Sequence, residues 1–325
     1  MSSILAEKLA ERRREMRREW KLGTAPKRSA ISERGLTRVP ADGAGYSALD
    51  LIAVEEPLEI RIAGDPIAVT MRTPGHDREL ALGFLFAEGV IRSASDVGSL
   101  AHCGRPGDES FENTLDVRAA PGVVLVSASE GPQRRGTLTT SACGVCGRRS
   151  IDDLLARCAP PAGTRPTPTL ALLRDSVEHL RAHQPSFERT GALHAAAVLS
   201  AAGAVLAAHE DVGRHNAVDK VIGELLLRAA GIGGAPADAS EDAAVAARAT
   251  LDAACVLVIS GRISFEIVQK ACVAGIAAVC GISAPTTLAI DLAERCRIAL
   301  AGFVRDGGLN LYTSAARELV RTVLL

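Results

Sequence analysis

The most distinctive chemistry in this chain is carried by thiols. Cys143-Gly144-Val145-Cys146 sets two cysteines three positions apart within a polar, glycine-bearing stretch, Thr137–Gly147. Thiols at that spacing can share a metal, close a disulfide, or pass sulfur between them. Arg134, Arg135, Arg148 and Arg149 flank the pair, and nearby cations favour the thiolate, the nucleophilic form. Gly144 and Gly147 let another macromolecule approach closely. A structural zinc site needs four ligands, commonly in two paired sets, yet the chain has no second Cys-x-x-Cys, and Cys103 and Cys158 stand alone. A thioredoxin-like dithiol opens a helix directly after a strand, which this Ser/Thr/Gly setting does not offer. The residues by themselves leave redox chemistry and sulfur transfer both open.

The elements around this loop fall into two regions. Leu51–Thr70 alternates in short strands, with Leu58, Ile60 and Ile62 on one face and a turn at Gly64-Asp65-Pro66. Glu79–Gly89 has helical spacing with Gly89 as its C-terminal cap. Asn113–Arg118 and Val123–Ser127 read as strands, and Ile151–Ala156 as a helix. Four prolines in Pro160–Pro168 mark the best internal boundary. Beyond it, Leu193–Leu199 and Ala204–Ala208 form a predicted hairpin around Gly203. Arg214–Arg228 is a predicted helix, Cys255–Ile259 an apolar strand, Ser264–Gly275 a helix, Ala278–Ile282 a strand, Thr286–Cys296 a helix and Ile298–Val304 a strand. A hairpin followed by alternating helix and strand predicts an α/β layered fold with a partly parallel sheet. The organisation expected is a flexible basic arm over 1–45, a smaller β-rich part with the cysteine loop over 46–160, and an α/β domain over 161–325.

Composition narrows the function classes. The 325 residues are 47% hydrophobic and 23% charged with a net charge of −1, as in ordinary globular proteins. Residues 1–40 hold eleven Lys/Arg against five Asp/Glu, a balance of +6 that leaves the remainder at −7. The body therefore shows no nucleic-acid footprint. Helical spacing of Leu5, Leu9, Met16 and Trp20 makes the arm a solvated helix or a disordered segment. No run reaches the ~18 apolar residues of a membrane span, and no secretory signal is visible. Eight cysteines are too sparse for a disulfide scaffold. Cys255, Cys272 and Cys280 lie in apolar runs and read as small buried hydrophobes. A reducing, cytoplasmic setting is expected.

The second half also has the layout of zinc-dependent nucleobase deaminases, which place His-x-Glu at one helix start and Pro-Cys-x-x-Cys at the next. The corresponding helices here begin Arg214-His215-Asn216-Ala217 and Ser264-Phe265-Glu266-Ile267. The catalytic glutamate position falls on Ala217 and the cysteine pair is missing, so a deaminase-like fold would be reused without its metal.

Six segments in series resemble the FdhD family of formate dehydrogenase accessory sulfurtransferases. They are Thr73-Pro74-Gly75 with Glu79–Leu85, Cys143–Gly147, Thr190-Gly191-Ala192-Leu193-His194-Ala195-Ala196, Glu210–Lys220, Ser260-Gly261-Arg262, and Ser283-Ala284-Pro285-Thr286-Thr287-Leu288-Ala289. The match runs in order from about Leu51 to Thr313 and leaves the N-terminal arm outside.

The resemblance implies a cytidine-deaminase-like fold, a homodimer, and a sulfur carrier that takes persulfide sulfur from a cysteine desulfurase. It passes that sulfur to the molybdenum bis(molybdopterin guanine dinucleotide) cofactor required by formate dehydrogenase. Cys143 matches the persulfide-forming cysteine and Cys146 its partner. The cofactor-binding stretch falls on Cys280, Gly281, Ile282, Ser283, Ala284 and Pro285, with guanine nucleotide as a partial mimic. That stretch lies between a buried strand and a helix start, where open α/β sheets bind ligands and backbone N–H groups suit a phosphate. Glu210–Lys220 packs six ionisable side chains into eleven residues. A capping salt-bridge network is its plain reading, and Arg214 and His215 facing the nucleotide pocket its functional one. Arg262 is a further phosphate-contact candidate. A non-covalent cofactor chaperone and a dithiol oxidoreductase are the competing functions.

Overall fold

The computed structural model of the chain describes residues 29–104, 111–125, 158, 165–231 and 251–323. Cys143, Cys146 and the expected helix Ile151–Ala156 lie outside the described residues, as do Val126, Ser127 and residues 1–28. Of the expected strand Val123–Ser127, the described part, Val123–Leu125, is irregular. A two-stranded antiparallel hairpin comes first, β1 (Ile31–Arg38) with β2 (Tyr46–Ala53). β1 lies within the 1–45 stretch expected as a flexible arm. Most side chains of β1 are exposed, so no apolar alternation marks this strand; pairing with β2 supplies its hydrogen bonds.

A four-stranded sheet follows: β3 (Glu56–Ile62), β4 (Asp65–Arg72), β5 (Val97–His102) and β6 (Thr114–Ala119), in the order β4-β3-β6-β5. Leu58, Ile60 and Ile62 share its buried face, as their alternation predicts. They pack beneath helix α1 (Asp77–Ala87), whose Leu80, Leu82 and Leu85 are fully buried.

The remaining strands form a six-stranded sheet. They are β7 (His194–Leu199), β8 (Val205–Asp211), β9 (Val256–Ile259), β10 (Ala278–Gly281), β11 (Ala299–Arg305) and β12 (Gly308–Leu311), ordered β12-β11-β10-β9-β7-β8. β9, β10 and β11 run parallel, while β7 pairs antiparallel with both β8 and β9. Helices cover both faces, which explains why these strands read as continuous apolar runs. Val198, Leu257, Ile259, Val279 and Leu300 face α4 (Arg214–Ala229), α5 (Phe265–Val273) and α6 (Thr287–Arg295). Ala197, Leu199, Val256, Val258 and Cys280 face α2 (Leu170–Arg181) and α7 (Ser314–Val323). The short helix α3 (Pro185–Thr190) joins α2 to β7. The layered α/β fold with a smaller β-rich part thus matches the expectation from sequence. Cys255, Cys272 and Cys280 are buried as read from their apolar runs; Cys158 and Cys296 lie in the same cluster as Cys272, with Cys296 Sγ 3.5 Å from the Cys158 carbonyl, and Cys255 and Cys280 lie on the opposite side of the sheet.

Two features fix the small sheet to the large one. Helices α1 and α4 cross with almost no separation, because a Cβ on Gly83 would strike the Asp219 carbonyl and one on Gly223 would strike the Glu79 carbonyl. Beside that crossing, the Thr73 turn is bracketed by α4 and the end of β8. Thr73 N donates to Asp211 Oδ2 (3.2 Å), Val212 N donates to Thr73 Oγ1 (3.1 Å), Lys220 Nζ donates to the Thr73 carbonyl (2.9 Å), and Asn216 Nδ2 donates to the Met71 carbonyl (2.7 Å). Asp211 and Lys220 are themselves paired at 2.7 Å with essentially no exposure.

The crossing gives a direct test. Gly223→Ala must push the helices apart, and overpacking of this kind costs about 1–3 kcal/mol or more. Urea unfolding should show that loss, whereas Gly35→Ala, in open space on β1, should leave the midpoint nearly unchanged.

Candidate functional site

The carboxyl ends of β9, β10 and β11 and the amino end of β7 meet along one edge of the large sheet. His194 opens β7 and pairs across from Asp211, the last residue of β8. Asp211 leads through Val212-Gly213 into α4, which starts at Arg214. β9 ends at Ile259 and passes through Ser260-Gly261-Arg262 to α5; β10 ends at Gly281 and passes through Ile282–Pro285 to α6. The two loops pair with each other. Ile263 N donates to the Ala284 carbonyl (3.1 Å) and Thr286 N to the Ile263 carbonyl (3.0 Å). Gly281 and Gly302 make this closeness possible. A Cβ at Gly281 would lie 2.8 Å from the Ile263 side chain, and one at Gly302 3.0 Å from both Pro285 and the Ser283 carbonyl.

Sequence-predicted residues divide sharply in this geometry. Cys280 turns its thiol into the core against α2, 4.0 Å from the Leu173 carbonyl, and burial pushes its pKa up to about 12. It can offer the edge only backbone. Ile282, Ser283, Ala284 and Pro285 are half-buried on the edge itself, and Arg262 is exposed beside them. Thr286 caps α6 by accepting from Ala289 N. Arg214 is half-buried, and its Nε is buried with no hydrogen-bond partner among the described residues. Its Cδ approaches the bare face of Gly261. An orphaned guanidinium N–H at a strand-end crevice is the mark of a place where an anion fits.

His215 points elsewhere. Its Nε2 lies 3.0 Å from Ser264 Oγ and 3.7 Å from Glu266 Oε2. The ring therefore joins the starts of α4 and α5, where a deaminase would hold its metal, and no group of metal-ligating side chains occurs among the described residues. Burial, helped by the positive charges of Lys270 and Arg214, lowers the His215 pKa to about 4. Its inner side borders a small cavity of about 50 Å³ lined by Thr70, Glu88, Asn216 and the Asp219–Lys270 pair. That pair is 2.6 Å apart, yet burial outweighs the pull of Lys270 and raises Asp219 to about 6.

Most of the charge in Glu210–Lys220 is structural. Asp211 and Lys220 neutralise each other, and Glu210 accepts from the Ser186 and Phe187 N–H groups at the start of α3. The sequence reading passes over Phe303. Its φ of 53° is strained for a bulky residue. It sits where β11 and β12 shift register, its N–H donates to the Ser283 carbonyl (3.3 Å), and its ring is 37% exposed. In a chain with 3% aromatics, an aromatic re-aimed by a bulge beside Ser283–Pro285 extends the edge. Nothing in local propensity marks it.

The chain is thus an α/β protein whose interlocked strand-end loops leave a crevice along one edge of the sheet, the place where open α/β sheets commonly bind ligands. The chain belongs to the FdhD/NarQ family, which matches residues 53–319. It is 48% identical over 288 residues to the sulfur carrier protein FdhD of Anaeromyxobacter dehalogenans, covering 89% of this chain and 93% of that one. It is 44% identical over 275 residues to the sulfur carrier protein FdhD of Mycobacterium tuberculosis (82% and 91%) and 41% identical over 299 to that of Streptomyces coelicolor (90% and 98%). The fold is similar to a crystal structure from Desulfotalea psychrophila assigned as a formate dehydrogenase accessory protein. The TM-score is 0.62 at 21% identity, over 87% of this chain and 97% of that one.

The His215 environment predicts a pH dependence of folding. The lowered pKa means that between pH about 4 and 6.5 unfolded His215 binds a proton that folded His215 refuses, so the His215 contribution to stability rises with pH across that window and is flat above it, against an opposite slope from Asp219. The contribution is of order 3 kcal/mol at most, at about 1.4 kcal/mol per unit. The stability of the wild type minus that of His215→Gln, which keeps a hydrogen bond to Ser264 without titrating, should rise between pH 4 and 6.5 and then level off in chemical unfolding measured from pH 4 to 7.

Proposed function

We propose that this protein carries sulfur as a persulfide on Cys143 and delivers it to a bound molybdenum bis(molybdopterin guanine dinucleotide) for formate dehydrogenase. The Cys143 thiolate attacks the outer sulfur of a cysteine desulfurase persulfide. The desulfurase S–S bond breaks, its thiolate leaves, and Cys143 holds the transferred sulfur. Attack of the Cys146 thiolate on the inner sulfur, Cys143 Sγ, would expel the outer, transferred sulfur as hydrosulfide and leave a Cys143–Cys146 disulfide, which balances electrons without an outside reductant at that step. The molybdenum cofactor is cargo here, held while sulfur is added.

Family membership spanning the Cys143 loop carries this reading, since the relatives above are named sulfur carrier proteins. The sheet edge supports the second half of it. Helix starts, the orphaned Arg214 Nε and exposed Arg262 suit a diphosphate, and Phe303 beside Ser283–Pro285 suits a flat base. A guanine nucleotide has both parts.

Incubation with a cysteine desulfurase and cysteine should add one sulfur atom to the intact protein, lost on reduction and absent from Cys143→Ser; mass spectrometry reads this directly. No gain, with the desulfurase active on another acceptor, favours a non-covalent cofactor chaperone. Arg214→Ala should weaken GDP binding in calorimetry by about tenfold or more, the loss expected for one charge-assisted contact.

A further inference from the structure

We infer that His194 is the imidazole that touches the nucleotide diphosphate at this edge, and that His215 is a positioning residue. This rests on the nucleotide-binding reading above. Both histidines are near Arg214, yet they face opposite ways. His215 is 14% exposed and tied to Ser264 and Glu266. His194 is half-buried, and its ring makes no side-chain hydrogen bond among the described residues. Its Nδ1 and Cε1 lie along the open face of Gly261, 3.5 and 3.6 Å from where a Cβ would stand, and Arg214 Cδ lies 3.6 Å from the same point. Gly261 is thus the floor between an imidazole and a guanidinium whose Nε is unsatisfied.

The strands hold this arrangement rigidly. His194 is paired to Asp211 on one side, and Ala195 N next to it donates to Ser260 Oγ (2.9 Å) while Ser260 N donates to the Ala195 carbonyl (3.0 Å). The groups around the His194 ring are Arg214, Asp211 and His215. Burial and then Arg214 keep its pKa low, so the ring is neutral near pH 7 and offers one N–H donor and one acceptor. Beside Arg214, that donor adds a second hydrogen bond to a phosphate oxygen. β7 lies three strands from β11 in the order β7-β9-β10-β11, roughly 14 Å at the usual strand spacing. This separates the His194–Arg214 end from the Phe303 end by about the reach of a nucleotide.

Calorimetry with GDP and with guanosine tests this on the full chain. His194→Ala should weaken GDP by about tenfold and leave guanosine unchanged, with an unaltered melting temperature. His194→Gln, able to donate one hydrogen bond, should recover most of the loss. His215→Ala should lower the melting temperature and affect GDP and guanosine alike. Wild-type GDP affinity retained in a folded His194→Ala protein overturns the assignment while the nucleotide site stands. Equal weakening of guanosine overturns the diphosphate contact. Failure of the wild type to bind GDP overturns the nucleotide reading and this inference with it.

Discussion

Asp211 is a carboxylate with no exposure, at the end of a strand, and four donors satisfy it. Gly213 N and Asn216 Nδ2 donate to Oδ1 (2.8 and 3.0 Å), and Thr73 N and Lys220 Nζ to Oδ2 (3.2 and 2.7 Å). Lys220 in turn directs its remaining donors to the carbonyls of Thr73 and Glu210. Buried ion pairs gain little net stability, but removing one partner leaves an uncompensated charge at a cost of about 3–5 kcal/mol. What this pair supplies is position. It joins the Thr73 turn, the end of β8 and the first turns of α4 in one bonded unit, and the Gly83/Gly223 crossing brings the backbones close enough for it to form.

The edge of the large sheet follows from that anchoring. With α4 held by Asp211 and Lys220, Arg214 at its first turn must lie over Gly261, and His215 must turn inward to Ser264. The second helix start is thereby set relative to the first, and the paired loops at Ile263 and Pro285 set the third. The His215–Ser264 hydrogen bond and the Asp219–Lys270 pair both link α4 to α5. His194 and Arg214 meet over Gly261 at one end of this edge, and Ser283 and Phe303 meet at the other.

The layered α/β fold was legible because its strands are buried on both faces and its helices carry clear caps. The Ser264 start, the Thr286 cap and the Gly275 stop with φ of 72° all sit where their residue types predict. The hairpin strand β1 was not legible, because its side chains are mostly exposed and its partner lies beyond a turn. β5, β12, α2, α3 and α7 are also absent from the sequence reading; of these, β12 is short and half-exposed. At the site, Arg214 and the 282–285 stretch fall on the edge and Cys280 is buried as its apolar run implies, but sequence alone could not show that His215 faces Ser264. Facing depends on register and on the neighbouring helix, and a one-residue step reverses it. His194 lay inside a recognised motif without a role, since only the missing side chain of Gly261, distant in sequence, gives its ring an open face.

Tracing labelled sulfur tests the account most directly. The protein is loaded with radiolabelled persulfide by a cysteine desulfurase acting on labelled cysteine, freed of the desulfurase, and mixed with molybdenum bis(molybdopterin guanine dinucleotide). The account predicts that label leaves the wild-type protein and appears on the cofactor, and that Cys143→Ser yields none. Label that stays on the protein, or that reaches the cofactor equally well without Cys143, would contradict it.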